Sequence, residues 1–407
     1  MLLLALGIVS LTATWYFALA IAPFRLVAAD SRTVPRDLYP AWYASQQAVL
    51  HHADPYSAEI NQQIQIAMLG HTVADSDTTN QQRFAYPFYA VLFFAPLALL
   101  PFPAAQAVAL LASAALTALS VLWWWPRAAS ASARVLAILF LFASYPVVLG
   151  LQLKQPTMLI APLLAAAVYS VRSHRLVLAG CLAAIATCKP QLAIAVVLPL
   201  LVWTLAEWRS RKAFLLSLAG CVAALLATSW LMMPGWLPRW WHTLHAYAHY
   251  AGARPRLFFL LPASAAWLAC VILIVAVCWV SWRWRDSDLL FAVGFSIAVF
   301  QLLFPFQIYN EVLLLPAVFW LMLPSQRQQA SQLFTLLLAC LWIVLSAGWI
   351  SALALTVADL LHAGSAARFT TFPKVSVWLL PYFVFLAFVL HVLAGLSVFE
   401  GRREAHS

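Results

Sequence analysis

The chain has 407 residues, of which 65% are hydrophobic and 9% are charged, and its formal net charge is +10. A soluble domain carries about 25% charged residues, so this composition excludes a water-soluble globular protein. The basic residues lie mainly in short connections and at the C-terminus, which indicates membrane topology rather than binding to nucleic acid.

Long apolar runs predict an all-α polytopic membrane protein that forms one integral membrane domain over residues 1–407. A hydrocarbon core of about 30 Å takes roughly 20 helical residues to cross. The runs are continuous rather than alternating, which favours helices over a β-barrel. The apolar blocks are 2–24, 86–100, 104–125, 134–150, 156–171, 176–189, 191–206, 213–233, 257–282, 288–304, 306–323, 332–352 and 376–398.

The first block, 2–24, has the length of either a signal peptide or an anchor. It lacks a basic start and many further blocks follow it, so we interpret it as a retained first helix.

Basic residues on alternate connections predict the orientation in a cell membrane, because short cytoplasmic loops carry an excess of Lys and Arg. The connections 234–256 and 353–375 are then on the outer side. Block 86–100 is short and Pro101 follows it at once, so we expect one incomplete crossing between residues 86 and 155 and about twelve true spans. The cytoplasmic clusters contain Arg172, Arg175, Arg209, Arg211, Lys212, Arg283, Arg285, Arg327, Arg402 and Arg403.

The polar segment 25–85 is predicted to be the first outer loop. Two stretches within it, 38–50 and 57–69, have helix-like apolar stripes but are too short to span, which is typical of amphipathic helices at a membrane surface. The loop also holds six of the thirteen acidic residues: Asp30, Asp37, Asp54, Glu59, Asp75 and Asp77.

The outer connection 234–256 is dense in aromatic and basic residues. His242, His245 and His249 share one helical face by their spacing. Three interpretations remain open for this loop: an aromatic belt at the membrane interface, a site for a lipid phosphate and a sugar, or a metal site.

An ordered set of short motifs resembles glycosyltransferase family 87, whose members are membrane mannosyltransferases of the GT-C type that use polyprenyl-phosphate sugars. The set covers mainly the first half of the chain, and the segment at 153–157 departs from the Gly-Gln-x-Asn pattern usual in the family. The motifs are Asp37-Leu38-Tyr39, Tyr43-Ala44, Asp54-Pro55-Tyr56, Tyr86-Pro87, Pro96-Leu97, Gln155-Pro156-Thr157, Ala179-Gly180, Lys189-Pro190, Tyr309-Asn310 and Leu315-Pro316.

The resemblance implies a GT-C fold and transfer of a hexose, mannose in the family, from a polyprenyl-phosphate donor to a hydroxyl of a lipid-linked or surface glycan on the outer face. The attacking hydroxyl must lose a proton, which one carboxylate can accept. The family match selects Asp37 as this general base. A helix cap at the start of 38–50 is the alternative role of Asp37. Asp30 is the second candidate base, and Asp54 is interpreted as a turn or a cap for the second surface helix.

The donor phosphate requires cations near the outer interface. Lys189 is the most informative of them, because a lysine that ends an apolar block is costly unless it is paired or functional; the alternative is a side chain that extends to the interface. The candidate substrate-binding residues are Arg36, Arg83, Lys189, Arg239, His242, His245, Arg254, Tyr309 and Glu311, with Arg256 as a further cation. For Glu311, we expect pairing with an arginine or a sugar.

A polyprenyl-phosphate donor needs no metal, since its leaving group is already ionised, and we expect neither a metal nor another cofactor. The six cysteines lie in apolar runs without CxxC spacing and are interpreted as packing residues. A transporter or lipid flippase is the main rival function. It predicts internal repeats and ionisable residues at mid-span, and the sequence shows little of either. A non-catalytic scaffold is the second rival, and it would not need six acids in one loop.

Overall fold

The computed structural model describes residues 2–16, 37–74, 81–124, 130–250, 254–305, 307–321, 332–361 and 378–393. Within these ranges all regular structure is helical, which confirms the all-α class. The helices are α1 (Leu2–Tyr16), α2 (Leu38–His51), α3 (Ala58–Leu69), α4 (Ala90–Ala98), α5 (Phe102–Trp124), α6 (Ala131–Ala143), α7 (Tyr145–Gln152), α8 (Thr157–Arg172), α9 (Leu176–Ala186), α10 (Pro190–Ala206), α11 (Trp208–Met232), α12 (Trp236–Tyr250), α13 (Leu257–Leu260), α14 (Ala263–Arg283), α15 (Leu289–Leu303), a 3₁₀ helix (Ile308–Leu313), α16 (Leu315–Leu321), α17 (Gln332–Leu360) and α18 (Trp378–Leu393).

Four helices among the described residues are long and apolar enough to cross a membrane: α5, α11, α14 and the part Thr335–Ala358 of α17. A fifth span results if α6 and α7 form one crossing, and shorter apolar helices of 10–17 residues accompany them. The chain is therefore a multi-pass membrane protein. The total of about twelve crossings stays a prediction, because the shorter helices have fewer than the roughly 20 residues of a straight crossing.

The region from 86 to 155 contains two interrupted elements. The chain bends by 60° between α6 and α7. Pro146 in the first turn of α7 has no N–H to continue the α6 hydrogen bonds, and the N–H of Ser144 closes α6 on the carbonyl of Leu141 at 3.0 Å. Helix α4 has only nine residues and cannot cross a bilayer alone. Both interruptions lie where the sequence predicts an incomplete crossing.

The two helices predicted in segment 25–85 are confirmed as α2 and α3. Their apolar stripes face the interior of the protein: Leu38, Trp42, Ile60 and Ile64 are all buried in the main hydrophobic core. These stripes therefore serve packing within the protein rather than contact with lipid.

Helix α2 also caps the end of α4. The indole Nε1 of Trp42 donates to the carbonyls of Leu97 and Leu100, each at 3.1 Å, and Nε2 of Gln46 donates to the carbonyl of Ala98 at 3.1 Å. These bonds add acceptor contacts at the C-terminal end of α4, where a helix leaves its last carbonyls without partners in the next turn. The start of α2 is thereby fixed against the helix bundle.

Basic side chains gather at one end of the bundle, which we call the basic end. Arg172, at the end of α8, donates to the carbonyls of Trp123 and Trp124 at the end of α5, at 3.4 and 3.5 Å. Arg211, in the first turn of α11, pairs with Asp286 at 2.7 Å. Of the residues predicted to be cytoplasmic, three lie outside the described part of the chain: Arg327, Arg402 and Arg403.

The opposite end of the same helices, which we call the Asp37 end, collects the polar residues. Phe102 at the start of α5 contacts Tyr39 of α2, with ring centroids 5.0 Å apart. Thr157 begins α8 and Lys189 precedes α10. Since α8 has 16 residues, about 24 Å of helix separates the two ends at 1.5 Å per residue.

Helices α9 and α11 pack closely at Gly180. A Cβ atom at this position would clash with Ser217 Oγ and lie 2.5 Å from the carbonyl oxygen of Phe214 and 2.8 Å from the N of Leu218. We therefore expect Gly180→Ala to destabilise the protein by about 1–3 kcal/mol, measured as a lower midpoint of thermal unfolding in detergent. Gly220→Ala is the matched control, because a Cβ there meets nothing within 4 Å; equal midpoints for the two variants would refute the tight packing.

Candidate active site

Asp37 occupies the N-cap position of α2. Its side chain makes no capping hydrogen bond, so the alternative role as a cap is borne out in position but not in hydrogen bonding. The carboxylate Oδ2 instead accepts a hydrogen bond from Nε2 of Gln155, and the Asp37 N–H donates to the carbonyl of Leu153 at 3.1 Å. Both backbone and side chain of Asp37 are thus held by the connection between α7 and α8.

This connection presents Gln155 through a tight turn. Lys154 has a φ of 51°, and the Gln155 N–H donates to the carbonyl of Gly150 at 2.9 Å, before α8 starts. A Cβ at Gly150 would clash with the side chain of Met158, whose Cγ would be only 2.9 Å away. The glycine therefore permits the close approach of α7 and α8 that aims Gln155 at Asp37.

Lys189 lies in the short connection between α9 and α10 and is only 6% exposed. Its Nζ donates to Oγ1 of Thr157 and, at 3.1 Å, to Oδ1 of Asn310, and it lies 5.3 Å from the ring centroid of Tyr309. Thr157 Oγ1 also donates to Asn310 Oδ1 at 2.8 Å. The buried ammonium is therefore surrounded by neutral partners and is not neutralised by any of these hydrogen bonds.

Asp37 and Lys189 are close enough to interact electrostatically. Burial lowers the pKa of Lys189 to about 7, and the negative charge of Asp37 acts in the opposite direction. Asp37 also acts electrostatically on Tyr86, Tyr247 and Tyr309. One carboxylate and one buried cation, bordered by phenols from three separate segments, thus form the centre of the Asp37 end.

A buried ion pair supports the backbone at Asn310. Arg256 Nη2 donates to Oε1 of Glu311, and both side chains are almost fully buried. Arg256 also donates to the carbonyl of Gln301 at 3.0 Å, and Gln301 Nε2 donates to the carbonyl of Asn310 at 3.2 Å. The expected pairing of Glu311 with an arginine is thus confirmed, and the pair fixes the backbone of a residue that bonds to Lys189.

Removing one member of this pair is expected to destabilise the protein by about 3–5 kcal/mol, because the remaining charge would be buried without a partner. The variants are Arg256→Met and Glu311→Leu, and the measurement is thermal unfolding in detergent. The double variant is the control, since it leaves no unpaired charge and is expected to recover most of the stability. Single variants as stable as the wild type would contradict this role.

Helix α12 packs on segment 25–85 beside the site. Arg239 pairs with Asp54 at 2.8 Å, and Nε1 of Trp240 donates to the carbonyl of Ala85 at 3.1 Å. Asp54 Oδ1 also accepts from the N–H of Tyr56 at 2.9 Å, which confirms the interpretation of Asp54 as a turn residue. Arg239 therefore joins α12 to this turn.

The structure does not bring every predicted substrate-binding residue to Asp37. Arg36 and the second candidate base, Asp30, lie outside the described residues. Arg83 is half-buried, whereas three further candidates are exposed: His242, His245 and Arg254. Of the predicted set, Lys189 and Tyr309 interact electrostatically with Asp37.

The described residues contain no group of three or more His, Cys, Asp or Glu side chains that could hold a metal ion. The side chain of His249, which the predicted histidine face includes, lies outside the described part of the chain.

Three polar residues of the site were not among the predicted site residues: Gln155, Thr157 and Asn310. All three are buried and bonded to Asp37 or Lys189. Their presence in the motifs at 155–157 and 309–310 is the one signal that the sequence offers for them.

A family model of glycosyltransferase family 87 matches residues 84–306, more than half of the chain. The chain belongs to glycosyltransferase family 87. Membership implies glycosyltransferase activity and the GT-C membrane fold. A search of curated proteins finds no match.

The match to glycosyltransferase family 87 includes Gln155, Lys189 and Arg256, whereas Asp37 and Asn310 lie outside the matched range. The hydrogen bonds from Gln155 to Asp37 and from Lys189 to Asn310 nevertheless join the two parts of the chain into one site.

Proposed function

We propose that this family 87 protein transfers a hexose, with mannose as the first choice, from a polyprenyl-phosphate sugar to a hydroxyl of a lipid-linked or surface glycan. Asp37 is the general base. The observation that carries the proposal is the presence in one site of a carboxylate held by Gln155 and, within electrostatic range of it, the buried cation of Lys189.

The reaction joins the acceptor oxygen to the anomeric carbon of the donor. As this bond forms, the bond between the anomeric carbon and the phosphate oxygen breaks, and its electron pair leaves with the polyprenyl phosphate. Asp37 accepts the proton of the attacking hydroxyl. The products are the extended glycan and the polyprenyl phosphate.

Lys189 is proposed to bind the donor phosphate and to stabilise the charge that builds up on it as the bond breaks. A lysine has three donors, of which Thr157 and Asn310 engage two. Phosphate oxygens are stronger acceptors than these neutral groups, because hydrogen bonds between charged partners are roughly twice as strong.

The site is proposed to face the outer side of the cell membrane. The support is the distribution of charge: Arg172 and Arg211 lie at the basic end, about 24 Å of helix from Thr157 and Lys189. Short basic connections favour the cytoplasm, so the Asp37 end faces outwards.

The proposal is tested with purified protein in proteoliposomes, tritiated sugars on polyprenyl phosphate, and extracted lipid-linked glycans as acceptors. We expect label to enter the glycan from polyprenyl-phosphate mannose but not from a nucleotide-activated mannose. Label that crosses the membrane on an unaltered lipid would instead favour the rival lipid transporter or flippase.

A further inference from the structure

Gln155 has a polar atom that the described residues leave unsatisfied. Its side chain is buried, with 6% exposure. The amide Nε2 donates to Asp37, whereas Oε1 has no hydrogen-bond partner among the described residues. A buried carbonyl without a partner is unfavourable, so such atoms are rare unless a ligand or water completes them.

The bond from Nε2 also acts on the chemistry of Asp37. A hydrogen bond donated to an ionised carboxylate stabilises the ionised form, which is the form that accepts a proton. The amide plane is fixed by the turn at Gly150 and by burial, so the bond restricts the orientation of the carboxylate as well.

We infer that Gln155 is a positioning residue for Asp37 and that its Oε1 accepts a hydrogen bond from a second hydroxyl of the sugar acceptor. One amide then holds the base and the acceptor together: Nε2 orients the carboxylate, and Oε1 orients the hydroxyl-bearing ring. This inference rests on the proposed function of Asp37 as the base.

Other charged and titratable groups also face Asp37 and contribute to its pH dependence. Lys189 approaches from the connection before α10, Tyr86 from the segment before α4, Tyr247 from α12 and Tyr309 from the 3₁₀ helix. A variant of Gln155 leaves all four in place, so a change in the pH profile reports the amide itself.

The test compares Gln155→Met and Gln155→Glu with the wild type in the proteoliposome assay. Activity requires ionised Asp37 and falls as the pH falls through the pKa of this group. Methionine has no N–H to donate to Asp37, so the acidic limb of the pH–activity profile moves to higher pH by about one pH unit. Glu adds a negative charge beside Asp37 and is expected to move the limb further. Acceptor KM rises about tenfold for Met, and donor KM stays within a factor of about three.

An acidic limb and an acceptor KM equal to those of the wild type in both variants would overturn the inference. A rise in donor KM alone would overturn it as well. Glu has nearly the shape of Gln and provides the second variant if Met fails to fold. Asp37→Asn is measured in the same assay. An active Asp37→Asn protein would refute the proposed role of Asp37 as the base. An inactive Asp37→Asn protein together with Gln155 variants that behave like the wild type would refute only the role of Gln155.

Discussion

Replacing Asp37 by asparagine is expected to lower kcat for sugar transfer by about 10²–10⁴-fold, the range that general-base catalysis contributes. Asparagine keeps the size of the side chain and can still bond to Gln155, but it cannot accept a proton from the acceptor hydroxyl. The measurement is the initial rate of label transfer at saturating donor and acceptor.

Asp286→Asn is the matched control for this variant. Asp286 pairs with Arg211 at the basic end, far from the site along the helices, so its neutralisation is expected to leave kcat unchanged. An Asp37→Asn protein as active as this control would show that Asp37 is not the base.

Lys189→Met is expected to lower kcat/KM for the donor by about 10–100-fold, because hydrogen bonds to charged groups contribute about 1.5–3 kcal/mol. Methionine fills a similar volume without the charge. Lys212→Met is the control, since Lys212 is exposed at the start of α11. An unchanged kcat/KM for Lys189→Met would contradict a phosphate-binding role.

The same lysine predicts a pH dependence. Its pKa is lowered by burial to about 7, so the charged fraction decreases as the pH rises through this value. Donor affinity of the wild type is therefore expected to fall above about pH 7, and this dependence is expected to disappear in Lys189→Met. A donor affinity that is constant between about pH 6 and pH 9 would count against the role of the ammonium.

The sequence predicts the elements of this fold better than their arrangement. The stripes of 38–50 and 57–69 correctly indicate α2 and α3, because helical periodicity is a local property. Residues distant in the chain decide what the stripes contact. Trp42, for example, donates to the carbonyl of Leu97 at the end of α4, 55 residues further along the chain. Periodicity alone does not distinguish such packing from contact with lipid.

The residues of the site also differ in how well the sequence predicts them. Lys189 and Glu311 could be chosen as candidate site residues from the sequence, because an ionisable residue at the end of an apolar block is costly. Gln155 carries no charge and bonds to Asp37 across 118 residues, and Asn310 bonds to Lys189 across 121. Neutral amides give no comparable signal, so their roles emerge only from the folded chain.

Donor binding and sugar transfer, measured together for the wild type and Asp37→Asn, test the role of Asp37 as the catalytic base. Both proteins are incubated in proteoliposomes with polyprenyl phosphate that carries tritiated mannose. We expect both to bind the donor, since Lys189 is intact, and only the wild type to transfer label to the glycan. Equal transfer by the two proteins would contradict the assignment of Asp37 as the catalytic base.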